Sequence, residues 1–344
     1  MTNGSAFTDA HCVGIARENR NVKTFRFSLA QSQDRTRFEA GQYVTLSVDT
    51  GSETLYRCYT ISSAPDAHGN ATFEITVKRS PDGAVSTWLH DRLVVGDSLK
   101  VSRPAGDFVL PADPAEPLLF VAGGVGITPL ISMARAVHAR GGGGNIQFLQ
   151  FVRTPGDILF HDELSEMARA SCGITPHFYT SDEASAEFPA GILSRELLDR
   201  TTPDWTSRRV LCCGPDAFMS VMRTLFLENG GAESRFHQER FQLPEQAPAH
   251  VTGAAGVARL SLSQSRLAFD CAPGTVILDA LHAQPNGPRV PNACRSGVCG
   301  TCKLRKLDGR VEMNHNGGIT DEEIDAGYIL PCCSVPLSDV TLEL

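Results

Sequence analysis

The chain has 344 residues, 42% hydrophobic and 20% charged, a composition typical of a globular protein with two or three domains. Its 31 basic and 39 acidic residues give a net charge of −8, which argues against nucleic acid as the main partner. The 11 cysteines are scattered and no signal-peptide pattern opens the chain, so we expect a reduced, cytoplasmic protein. Residues 117–134 are the most apolar stretch, but glycines and a proline interrupt it, so no membrane helix is expected.

Residues 1–112 are predicted to form a β-barrel domain. Residues 24–29, 42–48 and 72–77 alternate apolar and polar side chains, which is the pattern of strands with one buried face. Turn residues separate these segments, and many short strands of this kind are typical of a small barrel.

The barrel sequence contains a candidate cofactor strand, whose predicted contacts are Arg57, Tyr59, Thr60, Ile61 and Ser62. Because alternate side chains of a strand share a face, Arg57 and Tyr59 would lie together while Thr60 faces the other way. An arginine can hold a phosphate, a tyrosine ring can stack on a flat cofactor, and a hydroxyl can bond to a ring nitrogen. Read alone, the motif fits ordinary residues on the outside of a barrel equally well.

A second element follows in the order that a flavin site requires. Gly83 and Ser86 form a Gly-x-x-Ser turn near a predicted helix start, where backbone N–H groups can bind a pyrophosphate. Val77, Lys78 and Val85 complete this part of the candidate site. Since the turn can hold a second phosphate, the sequence favours FAD over FMN.

Residues 113–241 are predicted to form an α/β domain with a parallel sheet, because short apolar strands at 118–122, 146–152 and 210–213 alternate with helical stretches. A glycine turn after the first strand predicts a nicotinamide site at Gly124, Gly126, Thr128 and Pro129, with Thr128 as the helix N-cap and Pro129 in its first turn. The alternative is a plain strand-to-helix turn.

Two further segments complete the predicted nicotinamide side. Cys213, Gly214 and Pro215 follow the strand at 210–213, at the strand end where α/β sheets bind ligands. The alternative for Cys213 is a small buried hydrophobic residue. Phe241, at the end of the domain, either covers a flavin ring or packs in the protein.

Residues 242–256 are rich in proline, alanine and glycine and are predicted to be a linker to a last domain at 257–344. That domain contains Cys294, Cys299 and Cys302 in C-x4-C-x2-C spacing, followed by Cys332, with the adjacent Cys333 as the alternative fourth ligand. This is the spacing of a plant-type [2Fe–2S] site, which moves one electron at a time. A structural zinc site also uses four cysteines, but it usually shows two C-x2-C pairs.

Together these motifs resemble the ferredoxin–NADP⁺ reductase superfamily fused to a C-terminal plant-type ferredoxin domain of β-grasp fold. The resemblance implies that Arg57 binds a flavin phosphate, that Tyr59 lies against the ring, and that Thr60 is near its reactive nitrogen. It also assigns the glycine turn and the segment at 213–215 to the nicotinamide, with Thr60 and Cys213 as the catalytic residues. The module order resembles reductases of Rieske-type oxygenases, particularly those demethylating glycine betaine, and also the reductase of hybrid-cluster protein.

The resemblance implies that NADH reduces FAD and that the cluster passes single electrons to a terminal oxygenase or another acceptor protein. An electron carrier or redox sensor without NADH activity is the alternative from another class. We expect NADH to be preferred to NADPH, because Ser181 stands where an NADPH-binding relative has an arginine. Asp182 and Glu183 follow it and would repel the 2′-phosphate.

Overall fold

The computed structural model describes residues 7–29, 37–51, 54–66, 71–113, 116–170, 173–241, 256–285, 287–288, 290–292, 295, 297, 300–315 and 318–344. The chain divides into two compact units. The larger comprises Phe7–Thr54 and Cys58–Phe241, and the smaller contains the C-terminal part of the chain. The predicted flavin and nicotinamide sites other than Arg57 therefore belong to the larger unit.

The N-terminal part of the larger unit is a closed antiparallel sheet. Over the described part of residues 7–102, its elements are β1 (Phe7–Arg17), β2 (Val22–Leu29), β3 (Tyr43–Asp49), β4 (Thr54–Thr60), β5 (Thr72–Lys78), α1 (Ala84–Asp91) and β6 (Ser98–Ser102). The strand order is β4-β3-β6-β1-β2-β5. An antiparallel bridge between Ile61, just after β4, and Ile75 in β5 closes the sheet. The predicted barrel is confirmed, because the alternating pattern turns side chains such as Phe25, Phe27 and Phe73 into its interior.

The second part of the larger unit is a parallel sheet covered by helices. Over the described part of residues 117–239, its elements are β7 (Pro117–Gly123), α2 (Ile127–Ala139), β8 (Asn145–Val152), α3 (His161–Arg169), β9 (Ile174–Thr180), α4 (Arg195–Thr201), β10 (Arg209–Cys213), α5 (Asp216–Glu228) and β11 (Phe236–Glu239). The order β11-β10-β7-β8-β9 is parallel throughout. The carboxyl ends of all these strands therefore meet at one edge of the sheet, as the α/β prediction requires.

Alternate side chains of this sheet form two cores. Phe120 and Phe148 pack with α2 on one face, and Val121 and Val210 pack with Trp205 on the other. Because both faces are covered, the strands are apolar along most of their length, which is the pattern by which the sequence revealed them.

The smaller unit is a mixed sheet with a helix packed against it. In the described part of residues 256–344, its elements are β12 (Ala258–Leu262), β13 (Ala268–Cys271), α6 (Ile277–His282), β14 (Leu304–Asp308), β15 (Val311–Met313), α7 (Asp321–Asp325), β16 (Tyr328–Ile329), β17 (Ser334–Pro336) and β18 (Val340–Leu342). The main sheet has the order β13-β12-β18-β14-β16. Leu278 and Leu281 of α6 pack in one core with Leu260 and Val340 of the sheet. The predicted linker at 242–256 lies outside the described residues except for Gly256.

Within the described ranges, no helix combines the length and apolarity that a membrane span requires.

Candidate functional site

The predicted flavin strand is the end of β4 and the residues that follow it. Arg57 is exposed, Cys58 and Tyr59 are half-buried and Thr60 is buried, and the shared face of Arg57 and Tyr59 stays a prediction. The Arg57 guanidinium donates from Nη1 to the carbonyl of Tyr56 at 2.7 Å. The side chain of Ile61 is fully buried and can meet a cofactor only through its backbone. The roles of these residues toward a flavin remain predictions.

The Gly-x-x-Ser turn forms a helix start, as expected. Gly83 is the N-cap of α1 and its own backbone is extended. Ser86 Oγ donates to the Gly83 carbonyl at 3.1 Å and accepts from the Ser80 N–H at 3.1 Å. A Cβ on Gly83 would lie 2.4 Å from Ser86 Oγ, so the closed turn requires glycine. Because the Ser86 hydroxyl is used within the turn, the first N–H groups of the helix are what remains to bind an anion.

The neighbouring candidates differ in what they present. Val77 and Val85 have side chains buried in the core, so they offer a cofactor only their backbone, whereas Lys78 is exposed. The Val77 carbonyl is already within 2.9 Å of His90 Nε2. Of these three, Lys78 is therefore the residue whose side chain can reach a bound phosphate.

The glycine turn after β7 differs from the prediction at one position. Gly124–Gly126 form a 3₁₀ turn that runs directly into α2, and the N-cap is Gly126. The prediction that Thr128 is the N-cap is wrong, because the 3₁₀ turn starts the helix earlier; Thr128 Oγ1 instead donates to the Val125 carbonyl at 3.3 Å. Pro129 lies in the first helical turn as predicted.

The glycines of this turn have two different reasons to be glycine. Gly124 has a φ of +56° and open space where a Cβ would stand, so a ligand can approach its backbone. At Gly126 a Cβ would lie 2.2 Å from the Cys213 carbonyl oxygen. At Gly214 a Cβ would lie 2.9 Å from the Gly123 Cα. The loops after β7 and β10 therefore pack backbone against backbone, a contact that we call the glycine interlock.

Cys213 is fully buried at the end of β10, directly before Gly214 and Pro215. Burial first, and then the charge of Glu239, raise the pKa of its thiol well above the ordinary value. The side chain is therefore a neutral thiol, suited to contact a ring or to donate weakly and unsuited to act as a nucleophile. Its catalytic assignment remains a prediction.

Glu239 is the functional candidate that the sequence reasoning missed. It ends β11 directly opposite Cys213 on β10, and its Oε2 lies 3.4 Å from Thr60 Oγ1, which donates to it. Desolvation raises the pKa of its carboxyl to about 8, and the bond from Thr60 lowers it only in part. At neutral pH the site therefore holds a protonated carboxyl beside the Thr60 hydroxyl. Phe236 is the one apolar residue of β11, so no pattern in the sequence marked Glu239.

Phe241 follows two residues later and is 44% exposed, so it is accessible to cover a ring. It is the last described residue before the segment predicted to be a linker. Its contact with a flavin remains a prediction.

The segment predicted to select the nucleotide is paired with an arginine, Arg153, that the sequence reasoning did not place there. Asp182, after β9, forms an ion pair with Arg153, after β8, at 2.7 Å from Oδ2 to Nε. The Ser181 hydroxyl donates to Asp182 Oδ1 at 2.6 Å. The bonds from Ser181 and Arg153 lower the pKa of the Asp182 carboxyl. The predicted nucleotide-selecting segment is thus not purely acidic, because the parallel strands β8 and β9 bring Arg153 next to Asp182.

Two of the four predicted cluster cysteines can be located. Cys302 and Cys332 are both buried in the smaller unit, while Cys294 and Cys299 lie outside the described residues. The Gly297 N–H donates to Cys332 Sγ at 3.3 Å. Gly297 and Gly300 both have positive φ, the conformation that lets a tight loop turn its N–H groups toward sulfur. These features fit a [2Fe–2S] loop with Cys332 as a ligand.

Comparison with family models accounts for most of the chain. Residues 10–110 match the oxidoreductase FAD-binding domain, residues 120–224 match the oxidoreductase NAD-binding domain, and residues 261–337 match the 2Fe-2S iron-sulfur cluster binding domain. The fold and cofactors expected from the sequence, FAD, NADH and a [2Fe–2S] cluster, are confirmed at the level of domains.

Two curated proteins are similar over almost their whole length. The glycine betaine monooxygenase reductase subunit of Chromohalobacter salexigens is 38% identical, over 97% of this chain and 95% of that protein. The stachydrine N-demethylase reductase subunit Stc4 of Rhizobium meliloti is 36% identical, over 96% of this chain and 95% of that protein. Among solved structures, phthalate dioxygenase reductase, described as a modular structure for electron transfer from pyridine nucleotides to [2Fe-2S], is 26% identical. It superposes with a TM-score of 0.60 over 98% of each chain.

Proposed function

Since this chain belongs to the ferredoxin–NADP⁺ reductase superfamily, in the group that carries a C-terminal [2Fe–2S] domain, we propose that it serves an oxygenase acting on a quaternary amine. It is an oxidoreductase that passes electrons from NADH through FAD to the [2Fe–2S] cluster. The terminal acceptor is the proposed part. The observation that supports it is the end-to-end identity to reductase subunits named for glycine betaine oxygenation and stachydrine N-demethylation.

When bound, the cofactors would supply the redox chemistry, a two-electron reduction of the flavin by the nicotinamide and single-electron transfer by the cluster. The chain supplies placement. We assign Arg57 and the helix start at Gly83 to the flavin phosphates, and Tyr59 to its ring. Gly124 leaves its backbone open toward the nicotinamide side. The match of residues 10–110 to the oxidoreductase FAD-binding domain supports this assignment, and substitution at each position tests it.

At the end of β4, Thr60 and Glu239 share one hydrogen bond, and the carboxyl keeps its proton at neutral pH. An ionised carboxylate there would place a negative charge in a poorly solvated cleft beside the electron-accepting ring. A neutral carboxyl avoids that repulsion and holds its proton on the oxygen that does not accept the Thr60 hydrogen bond. Cys213, neutral and buried, adds a small surface without charge.

Reconstitution tests the proposed acceptor. The purified chain would be mixed with the oxygenase subunit of a glycine betaine monooxygenase, NADH and glycine betaine, and formaldehyde and NADH consumption would be measured together. We expect formaldehyde only when both proteins and the amine are present. NADH consumption with an artificial acceptor but no transfer to the oxygenase would reject the acceptor and leave the reductase activity standing. Absence of NADH consumption would favour a carrier module without NADH activity.

A further inference from the structure

Helix α2 presents two hydrogen-bond donors to the barrel. Ser132 Oγ donates to the Ser63 carbonyl at 2.7 Å, and Arg135 Nη1 donates to the Ser62 carbonyl at 2.8 Å. The donors are three positions apart in the sequence, so they lie on the same side of the helix. Their acceptors are consecutive carbonyls, two and three positions after Thr60 of the flavin strand.

The Arg135 side chain is fixed by more than its bond to the barrel. Its Nε and Nη2 bind the two carboxylate oxygens of Glu163 in α3 at 2.7 and 2.8 Å. Its Nη1 lies 3.5 Å from the Glu74 carboxylate of β5. The Phe160 ring lies 4.9 Å from the guanidinium carbon. A planar guanidinium held on three sides has little freedom to move, so its bond to Ser62 has a defined direction.

The buried charge of Arg135 is compensated. Desolvation alone would lower the pKa of the guanidinium, but the hydrogen bonds and charge of Glu163, with the charge of Glu74, raise it above the ordinary value. Glu74 also binds Arg26 at 2.6 Å. The resulting chain of charges, Arg26, Glu74, Arg135 and Glu163, alternates in sign and is neutral in sum.

The barrel segment that receives these bonds is itself rigid. The Ser62 N–H donates to the Glu74 carbonyl at 2.8 Å, and Ser62 Oγ lies 2.9 Å from Thr76 Oγ1. Ser62 is fully buried. At the other end, α2 begins at Ile127 immediately after the glycine turn, and Arg135 follows eight residues later, about 12 Å along the helix. A short straight helix therefore links the flavin strand to the nicotinamide loop.

We infer that Arg135, assisted by Ser132, is a positioning residue that sets the distance between the nicotinamide loop and the flavin strand. The inference rests on the proposed placement of the flavin at β4. Transfer from nicotinamide to flavin needs reacting atoms about 3–3.5 Å apart, and a displacement near 1 Å reduces the rate by roughly 100-fold. An apolar contact would hold the two parts together at least as stably as a buried ion pair. The charged network adds a fixed direction to the hydrogen bond between Arg135 and the Ser62 carbonyl, which an apolar contact does not have.

The test compares three variants of the full-length, FAD-loaded protein. Arg135→Lys keeps the charge but cannot bind Ser62 and both oxygens of Glu163 at once. Ser132→Ala removes one donor and leaves no buried charge. Arg140→Ala, at the exposed end of the same helix, is the matched control.

Flavin reduction by NADH would be followed by stopped flow without oxygen. We expect the limiting rate to fall about 10- to 100-fold in Arg135→Lys and roughly 3- to 10-fold in Ser132→Ala. The Kd for NADH should change less than about threefold, because both substitutions lie outside the loops proposed to bind the nucleotide. The control should match the wild type.

Two readouts do not depend on turnover. The charge-transfer absorbance between flavin and nicotinamide should weaken in Arg135→Lys and Ser132→Ala. In the FAD-free form of the same two variants, amide hydrogen exchange at residues 61–63 should be faster than in the FAD-free wild type. A limiting rate and absorbance within twofold of wild type in folded, FAD-bound variants would overturn the inference, even if Tm falls. Failure of the wild-type flavin to be reduced by NADH would instead reject its function as an NADH reductase.

Discussion

At the scale of single residues, Glu239 links burial to pH. Its carboxyl has a pKa of about 8 because it is poorly solvated at the end of β11. The folded protein therefore holds this proton more tightly than the unfolded chain, where a glutamate titrates near its ordinary value of 4.5. The stabilisation is complete below the unfolded pKa and is lost as pH rises through about 8.

Glu239→Gln tests this, because the amide is neutral at every pH and keeps the shape of the side chain. We expect wild-type stability to fall, relative to the variant, between pH 5 and pH 9, by on the order of 2–4 kcal/mol. Thermal unfolding at both pH values measures it. Glu228→Gln, an exposed carboxyl in α5, is the control. Parallel pH profiles for wild type and Glu239→Gln would show that the carboxyl is not perturbed.

Nucleotide choice is also decided by single residues. We expect the wild type to prefer NADH, because Asp182 both repels a 2′-phosphate and occupies Arg153. Asp182→Ala would free the guanidinium, and kcat/KM for NADPH should rise roughly 10-fold or more. The double variant Asp182→Ala with Arg153→Ala should lose that gain.

Steady-state kinetics with both nucleotides decide the question. Glu183→Ala removes a neighbouring exposed carboxylate and is the matched control for charge alone. An equal gain from Glu183→Ala would mean that general repulsion matters and the ion pair does not. A wild-type ratio near one or favouring NADPH would contradict the expected preference.

At the scale of elements, the glycine interlock makes two loops act as one. The turn after β7 and the loop after β10 approach so closely that neither tolerates a side chain at the contact. Gly124, in the same turn, is outside this contact. The turn therefore separates a packing role from a ligand role within three residues.

Alanine substitutions should separate these roles. Gly126→Ala places a Cβ against the Cys213 carbonyl, and we expect the free energy of unfolding to fall by about 2–3 kcal/mol or more. Gly124→Ala meets only the strain of positive φ, which should lower the free energy of unfolding by about 1–2 kcal/mol. It also narrows the ligand approach, so it should lower kcat/KM for NADH at least as much as Gly126→Ala does. Thermal unfolding and NADH kinetics of both variants measure this. If the two variants lost stability and kcat/KM to the same extent, the division into a packing glycine and a ligand glycine would be wrong.

The elements also show what sequence reasoning can reach. Periodicity located β2, β3 and β5, because one buried face imposes alternation, and it located β7 as an apolar run, because both faces of that strand are covered. The cap at Thr128 was misplaced, because a 3₁₀ turn and an α-helix start look alike in sequence. Glu239 and Arg153 were missed as site residues, because their partners Thr60 and Asp182 lie 179 and 29 positions away along the chain. Local patterns identify the elements, but only the folded structure identifies these pairs.

At the scale of the whole molecule, the flavin candidates other than Arg57 belong to a different compact unit from the cluster cysteines. Each unit has its own core. A change confined to the cluster loop should therefore leave the flavin chemistry intact.

Cys332→Ser and Cys333→Ser test this and identify the ligand. Cys332 is buried and accepts the Gly297 N–H, whereas Cys333 Sγ donates to the Leu330 carbonyl at 3.5 Å. We expect Cys332→Ser to lose the cluster and Cys333→Ser to keep about two irons per chain. Iron analysis checks this, and flavin reduction by NADH should stay within about twofold of wild type in both. If Cys333→Ser lost the iron and Cys332→Ser kept it, Cys333 would be the fourth cluster ligand in place of Cys332.

The bonds from α2 to the barrel have a consequence for building hybrid reductases. Ser132 and Arg135 both donate to main-chain carbonyls, at Ser63 and Ser62. A carbonyl is present whatever residue occupies a position, so this joint does not depend on the side chains of the barrel segment. A nucleotide domain grafted from a relative with these two donors would find its acceptors already in place. The Glu74 carboxylate, in β5 of the barrel, would stay with these acceptors and pair with the incoming arginine.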